Sequence, residues 1–254
     1  MLETRQLSKH FKGLVAINNV DFNVGQKELV GVIGPNGAGK TTFFNLVTGF
    51  LKPTSGKILF EGRDITGKPP HAIAGMGIVR TFQLDRIYHD FTVLANVEIA
   101  SHLQARIGFI ESIFKTRPYR KKEQSARENA MQILQFLGFQ DKKDELARNL
   151  SHGHQKLLGI AVALAAKPKL LLLDEPLAGM NVQEVGHTLE LIRQIRAEGT
   201  GVLLIEHNMR AVMSTCDRLL VLNFGTEIAR GTCEEIQRNK DVIQAYLGAK
   251  RNAA

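Results

Sequence analysis

The apolar run Leu29–Ile33 (LVGVI) leads straight into Gly34-Pro35-Asn36-Gly37-Ala38-Gly39-Lys40-Thr41-Thr42, and the residues that follow, 43–47, suit a helix. The spacing G-x-x-x-x-G-K-[ST] between a strand and a helix is that of a loop that wraps phosphate with successive backbone N–H groups. Glycines are needed because the wrapping dihedrals would bring a Cβ into the backbone, and the helix N-terminus adds positive potential. Lys40 brings a point charge to the β- and γ-phosphates. Thr41 offers a hydroxyl to Mg²⁺, and Thr42 suits an α-phosphate oxygen. The motif therefore predicts a site for a nucleotide triphosphate with Mg²⁺, built on a strand-loop-helix unit.

Three further apolar runs, Leu170–Leu173, Val202–Ile205 and Leu219–Leu222, have the continuous pattern of strands covered on both faces. Helical segments fall between them at 40–48, 155–166 and 183–197, the last with Val185, Leu189 and Ile192 on one stripe. This alternation predicts a parallel α/β sheet. Near the N-terminus, Leu14 and Ala16, then Val20, Phe22 and Val24, alternate as in antiparallel strands. Residues 92–156 differ: Ala126, Ala130, Leu134 and Leu137 recur at helical spacing and no strand-like run appears. The expected organisation is one composite domain over 1–254, with an α/β core (about 1–91 and 157–233), an inserted helical part (about 92–156) and a closing helix (about 234–247).

The run Leu170–Leu173 ends in Asp174-Glu175-Pro176. Two carboxylates thus stand at the C-terminal edge of a buried strand, where ligands of such sheets bind. Asp174 is placed to order Mg²⁺, usually through water, and Glu175 to orient or deprotonate an attacking water.

Composition narrows the function classes. A chain of 254 residues buries enough surface to need no disulfide or structural metal. Cys216 and Cys233 show neither C-x-x-C nor zinc spacing, which predicts free thiols in a reducing cytoplasm. The longest apolar stretch, 157–166, is half of the roughly 20 residues that cross a bilayer, and the first ten residues lack a secretory core. A soluble, non-exported chain is expected. The net charge of +8 comes without an aromatic-interleaved basic strand or a recognition helix, so no nucleic acid partner is expected. Lys115, Arg117, Arg120, Lys121, Lys122 and Arg127 form a basic stretch that reads first as a solvated face, with a partner surface or an anionic-lipid contact as alternatives.

Leu150-Ser151-His152-Gly153-His154-Gln155, just upstream of the carboxylate strand, resembles the signature motif of ATP-binding cassette (ABC) ATPases. Other motifs of that family stand in order around it. Gln83 in Arg80-Thr-Phe-Gln is similar to the Q-loop, Ala178-Gly-Met-Asn181 to the D-loop, and His207 to the switch histidine, while Phe11 sits where the family stacks an aromatic on adenine. The resemblance covers about residues 2–247. It implies a P-loop NTPase of ABC ATPase type, with a RecA-like parallel-sheet core, an N-terminal antiparallel β subdomain and an inserted helical subdomain. It also assigns Glu175, His207, Lys40 and Gln83 to catalysis, Thr41, Gln83 and Asp174 to the metal, and Ser151 and Gly153 to the nucleotide of a partner copy. The motif departs from the usual L-S-G-G-Q at His152 and His154, and an H-x-H pair without further ligands does not make a metal site.

The passages 36–50, 77–83, 178–181 and 241–248, with the basic insertion at 114–122, resemble the ATP-binding subunits of branched-chain amino-acid importers. That resemblance implies ATP and Mg²⁺ as cofactors and a second ABC ATPase subunit, identical or paralogous. It further implies two transmembrane permease subunits, a solute-binding protein, and a place on the cytoplasmic face of a bacterial or archaeal membrane. A soluble ATPase of iron–sulfur cluster assembly, a urea importer and an exporter of lipid-linked material share the nucleotide motifs and stand as alternatives.

Overall fold

The computed structural model describes residues 1–81, 87–104 and 117–251, with the backbone alone at 102–104, 117–119 and 247–251. β1 (Leu2–Phe11) and β2 (Leu14–Val24) form an antiparallel pair, and β4 (Ser55–Phe60) and β5 (Arg63–Asp64) extend it to a four-stranded sheet in the order β2-β1-β4-β5. The alternation of Val20, Phe22 and Val24 turns those side chains inward against β3 (Leu29–Ile33) and α1 (Lys40–Val47).

The four apolar runs are β3, β7 (Leu170–Asp174), β8 (Gly201–Ile205) and β9 (Arg218–Asn223), which with β6 (Ile78–Arg80) and β10 (Thr226–Gly231) form a second, six-stranded sheet. Its order is β10-β9-β3-β8-β7-β6, parallel except for the β9–β10 hairpin. Why each strand is apolar throughout follows from the layers on either side. Leu171, Leu173, Val202, Leu204, Leu219 and Val221 face the helices of one core, while Leu170, Leu172, Leu203, Ile205, Leu220 and Leu222 face the N-terminal sheet and α1 in the other.

The remaining helices are α2 (Pro70–Gly75), α3 (Val93–Gln104), α4 (Arg117–Phe136), α5 (His152–Ala165), α6 (Val182–Ala197), α7 (Met209–Thr215), α8 (Cys233–Arg238) and α9 (Lys240–Arg251). Ala126, Ala130 and Leu134 are buried on the inner side of α4, and Leu137 is buried in the turn just after it. The boundary drawn at 156/157 from sequence falls inside α5, one continuous helix packed on α3 and α4 that then leads into β7. The closing helix over 234–247 is in fact two helices. Asn239 leaves the helical region (φ −74°, ψ 119°), and its side-chain oxygen accepts from the N–H groups of Asp241 (2.9 Å) and Val242 (3.2 Å), starting α9 afresh.

Of the basic stretch, Lys115 lies outside the described residues; Arg120, Lys121 and Arg127 are exposed, and Arg127 is 3.7 Å from Glu98. Both cysteines are free, and burial pushes the Cys216 thiol up. Among the described residues, no helix is long and apolar enough to cross a membrane.

Candidate functional site

The loop between β3 and α1 is shaped around backbone. Gly39, the residue before α1, sits at φ +103°, and a Cβ there would lie 2.6 Å from the Ala16 carbonyl oxygen. The β9–β10 turn closes against the same loop, with the Gly225 N–H donating to Ala38 O at 3.0 Å. Lys40 is only 7% exposed and donates to the carbonyls of Gly34 (2.8 Å) and Pro35 (2.9 Å), which holds its ammonium across the loop mouth. Burial pushes this ammonium below its ordinary pKa, and the carboxylates of Glu175 and Asp174 work against that shift.

A cleft of about 510 Å³ opens over the loop. Residues 36–42, Glu175, His207 and Phe11 line it, with an apolar rim from Leu14, Val15 and Phe224. Phe11 is 42% exposed, and the Lys9 ammonium lies 4.9 Å from its ring centroid. The cleft has the chemistry of a nucleotide: backbone donors and a buried cation at one end, apolar and aromatic surface at the other.

Glu175 follows β7 in the left-handed region (φ +48°) and is tied by its N–H to Ile205 O at 2.9 Å. That turn aims the carboxylate across the sheet edge, where Glu175 Oε1 and His207 Nε2 are 2.9 Å apart. A polarising carboxylate and an imidazole thus share one hydrogen bond at the phosphate end of the cleft. Beneath them Glu206, 5% exposed, accepts from the N–H groups of Leu177 (2.8 Å) and His207 (3.0 Å) and so pins the loops after β7 and β8 to each other.

Asp174 does not line this cleft. Its carboxylate pairs with the Arg80 guanidinium at 2.6 Å, and the two side chains are 10% and 7% exposed. Arg80 also donates to Asn45 Oδ1 at 2.6 Å and lies over the Phe44 ring at 5.5 Å. The Thr41 hydroxyl on α1 and the Asp174 carboxylate on β7 are hard oxygen donors of the kind Mg²⁺ takes. With no carboxylate but Asp174 assigned to it, the ion would depend on phosphate oxygens for the rest of its shell, as Mg²⁺ at nucleotide sites does. Gln83 lies outside the described residues.

Ser151 and Gly153 are not on the cleft either. Ser151 is exposed and caps the N-terminus of α5, and Gly153 is buried where a Cβ would come within 2.9 Å of Glu184. Glu184 completes a capping box with Asn181 at the start of α6, so the 178–181 segment and the signature turn are packed together within one chain. Among the described residues, no group of three or more His, Cys, Asp or Glu could hold a metal, His152 and His154 included.

Arg80, Asn45 and Glu206 were not singled out by sequence. Arg80 and Asp174 are far apart in the chain and meet only because β6 and β7 pair in parallel. The one available signal was that Arg80 stands three residues before Gln83 in the same motif.

The ABC transporter family pattern matches residues 17–178, and that of the branched-chain amino acid ATP-binding cassette transporter matches residues 227–251. The chain is 44% identical over 249 residues, 98% of either protein, to the high-affinity branched-chain amino acid transport ATP-binding protein LivG of Salmonella typhimurium. It is 43% identical, over the same shares, to the corresponding protein BraF of Pseudomonas aeruginosa. The solved ADP conformation of MJ1267, an ATP-binding cassette of an ABC transporter, superposes with a TM-score of 0.86 at 33% identity, covering 98% of each chain. Cleft and kinship agree, and the chain belongs to the ABC transporter family as an ATP-binding cassette, an ATPase.

Proposed function

We propose that this chain powers the import of branched-chain amino acids as one of two cassettes that close head to tail on MgATP. Each nucleotide is held between one copy's 34–42 loop and its partner's Ser151–Gly153. The observation that carries this reading is the separation described above: residues 36–42 line the cleft, yet Ser151 is not among its lining and stands exposed at a helix N-terminus. A second cassette, identical or paralogous, supplies the missing wall.

In the closed site the Lys40 ammonium turns from its loop carbonyls to the β- and γ-phosphates, and Phe11 packs on the adenine. Glu175 accepts a proton from water as the water oxygen bonds to the γ-phosphorus. The bond from that phosphorus to the bridging oxygen breaks, leaving ADP and phosphate. As the site closes, His207 turns its Nε2–H from Glu175 to a γ-phosphate oxygen. Thr41, Asp174 and Gln83 would hold Mg²⁺, which would supply charge neutralisation on the phosphates when bound. Gln83 links phosphate occupancy to the helical subdomain and so to two permease subunits, with a solute-binding protein on their far side.

The match of residues 227–251 to the branched-chain cassette family, and relatives whose names specify that transport, favour this cargo over the iron–sulfur, urea and lipid-linked alternatives. They also favour peripheral attachment at the cytoplasmic face. Glu175→Gln should keep ATP binding, slow hydrolysis by at least 100-fold and trap a dimer detectable by sedimentation. Normal steady-state turnover by that variant would remove Glu175 from its role. Co-purification from membranes with two hydrophobic subunits, together with identification of the solute-binding protein's ligand, tests the transport assignment.

A further inference from the structure

At the start of α5 the Ser151 hydroxyl is held from two sides by one residue. Its oxygen accepts the His154 backbone N–H at 3.3 Å, and it lies 2.9 Å from His154 Nδ1. The imidazole is itself held: the buried Phe139 meets it edge-on, with centroids 5.4 Å apart and planes at 74°. The turn leading into Ser151 is fixed by the Gln155 amide, which donates to Ala147 O (3.2 Å) and Leu150 O (3.3 Å). His154 occupies the position at which the signature pattern has glutamine.

A serine hydroxyl has one proton and two lone pairs. If Nδ1 carries a hydrogen, both lone pairs are taken by His154 and the hydroxyl proton turns outward from the exposed end of the helix. If Nδ1 is bare, the hydroxyl proton is tied to the ring and the oxygen turns its one remaining lone pair outward, where an anion is repelled. One ring nitrogen therefore sets whether Ser151 meets a phosphate as donor or as acceptor.

We propose that His154 is a positioning residue for the nucleotide bound by the partner cassette: its Nδ1–H holds Ser151 Oγ so that the serine proton points at the partner's γ-phosphate. The proposal rests on the head-to-tail reading above, and its tests separate the two. In the first, ¹⁵N shifts of the imidazoles are recorded on the full chain, with the His154 signal identified by its loss in His154→Asn. A protonated Nδ1 is the expected result, and a bare Nδ1 overturns the assignment whether or not the chain dimerises.

In the second test, ATP-driven dimerisation is measured by sedimentation on a Glu175→Gln background. His154→Ala should weaken association about tenfold per site, the size of one hydrogen bond to a charged group, and so about a hundredfold for a dimer with two such sites. His154→Asn, whose amide N–H replaces Nδ1–H, should restore most of it. On a Ser151→Ala background, His154→Ala should change association by less than twofold. ATP affinity of the monomer should be unaltered by either His154 substitution relative to the Glu175→Gln parent. Equal losses with and without Ser151, or no rescue by asparagine, overturn the positioning role. Failure of the Glu175→Gln parent to dimerise with ATP counts instead against the head-to-tail reading.

Discussion

Replacing Arg80 with methionine isolates the electrostatic frame behind the cleft. The guanidinium makes two 2.6 Å bonds, to Asp174 and Asn45, from a position only 7% exposed. Methionine keeps an unbranched apolar stem against Phe44, so the change is one of charge far more than of packing. Removing one partner of a buried pair costs about 3–5 kcal/mol, because the other charge is left uncompensated. The Lys40 ammonium feels the field of Asp174 and offsets part of that, which places the expected loss near the lower bound, about 3 kcal/mol. At about 2–4 °C per kcal/mol for a chain of this size, Arg80→Met should melt roughly 6–12 °C below the parent in chelator. The deficit should shrink with saturating Mg-nucleotide, since a cation beside Asp174 replaces the lost positive charge. Adding Asp174→Asn to Arg80→Met should recover much of it in chelator. Calorimetry checks all three. A variant melting within about 1 °C of the parent, or a deficit indifferent to magnesium, would refute the view that Arg80 compensates the buried charge of Asp174.

Two further substitutions test other parts of the frame. Gly37 and Gly39 both have positive φ, but a Cβ at Gly37 meets nothing within 4 Å whereas one at Gly39 meets a backbone oxygen at 2.6 Å. Gly37→Ala should therefore cost only about 1–2 kcal/mol of stability through backbone strain, while Gly39→Ala should cost more; equal shifts in melting temperature by scanning calorimetry would count against the steric account. Glu28 is drawn upward in pKa by burial, but the Arg218 guanidinium and the Gly25 N–H (2.6 Å) outweigh this and hold it below the ordinary carboxylate value. Its contribution to stability is accordingly present above that ordinary value and lost as pH falls through the lowered one. Glu28→Gln should flatten the acid limb of a melting-temperature profile and leave the slope near neutrality unchanged.

The legible parts of this molecule are those written in contiguous residues. The phosphate loop, the four continuous apolar strands and the carboxylates at the end of β7 each carry their own signal, because a central parallel strand must be apolar on both faces. β6 has only the three residues Ile78–Arg80, too few for periodicity to show, and β10 is an edge strand with polar residues on one side. β4 contains Gly56 and Lys57, which mask its inward Ile58 and Phe60. The break at Asn239 was readable, since asparagine before Lys-Asp is a helix-start signal, but the apolar spacing on either side obscured it. The pairing of Arg80 with Asp174 and the bracing of two loops by Glu206 depend on strand order, which no local pattern encodes.

The unbroken course of α5 has a mechanical corollary. With 14 residues at about 1.5 Å each, the helix is a strut some 21 Å long, rooted beside the strand that bears Asp174 and carrying Ser151 at its N-terminal tip, where Glu184 packs on Gly153. A swing of about 10° about the root displaces the tip by nearly 4 Å, more than the span of a hydrogen bond. Any partner that leans on the helical insert therefore acts on Ser151 and on the phosphate site together, because Lys156 of the same helix donates to the Glu175 carbonyl at 3.2 Å.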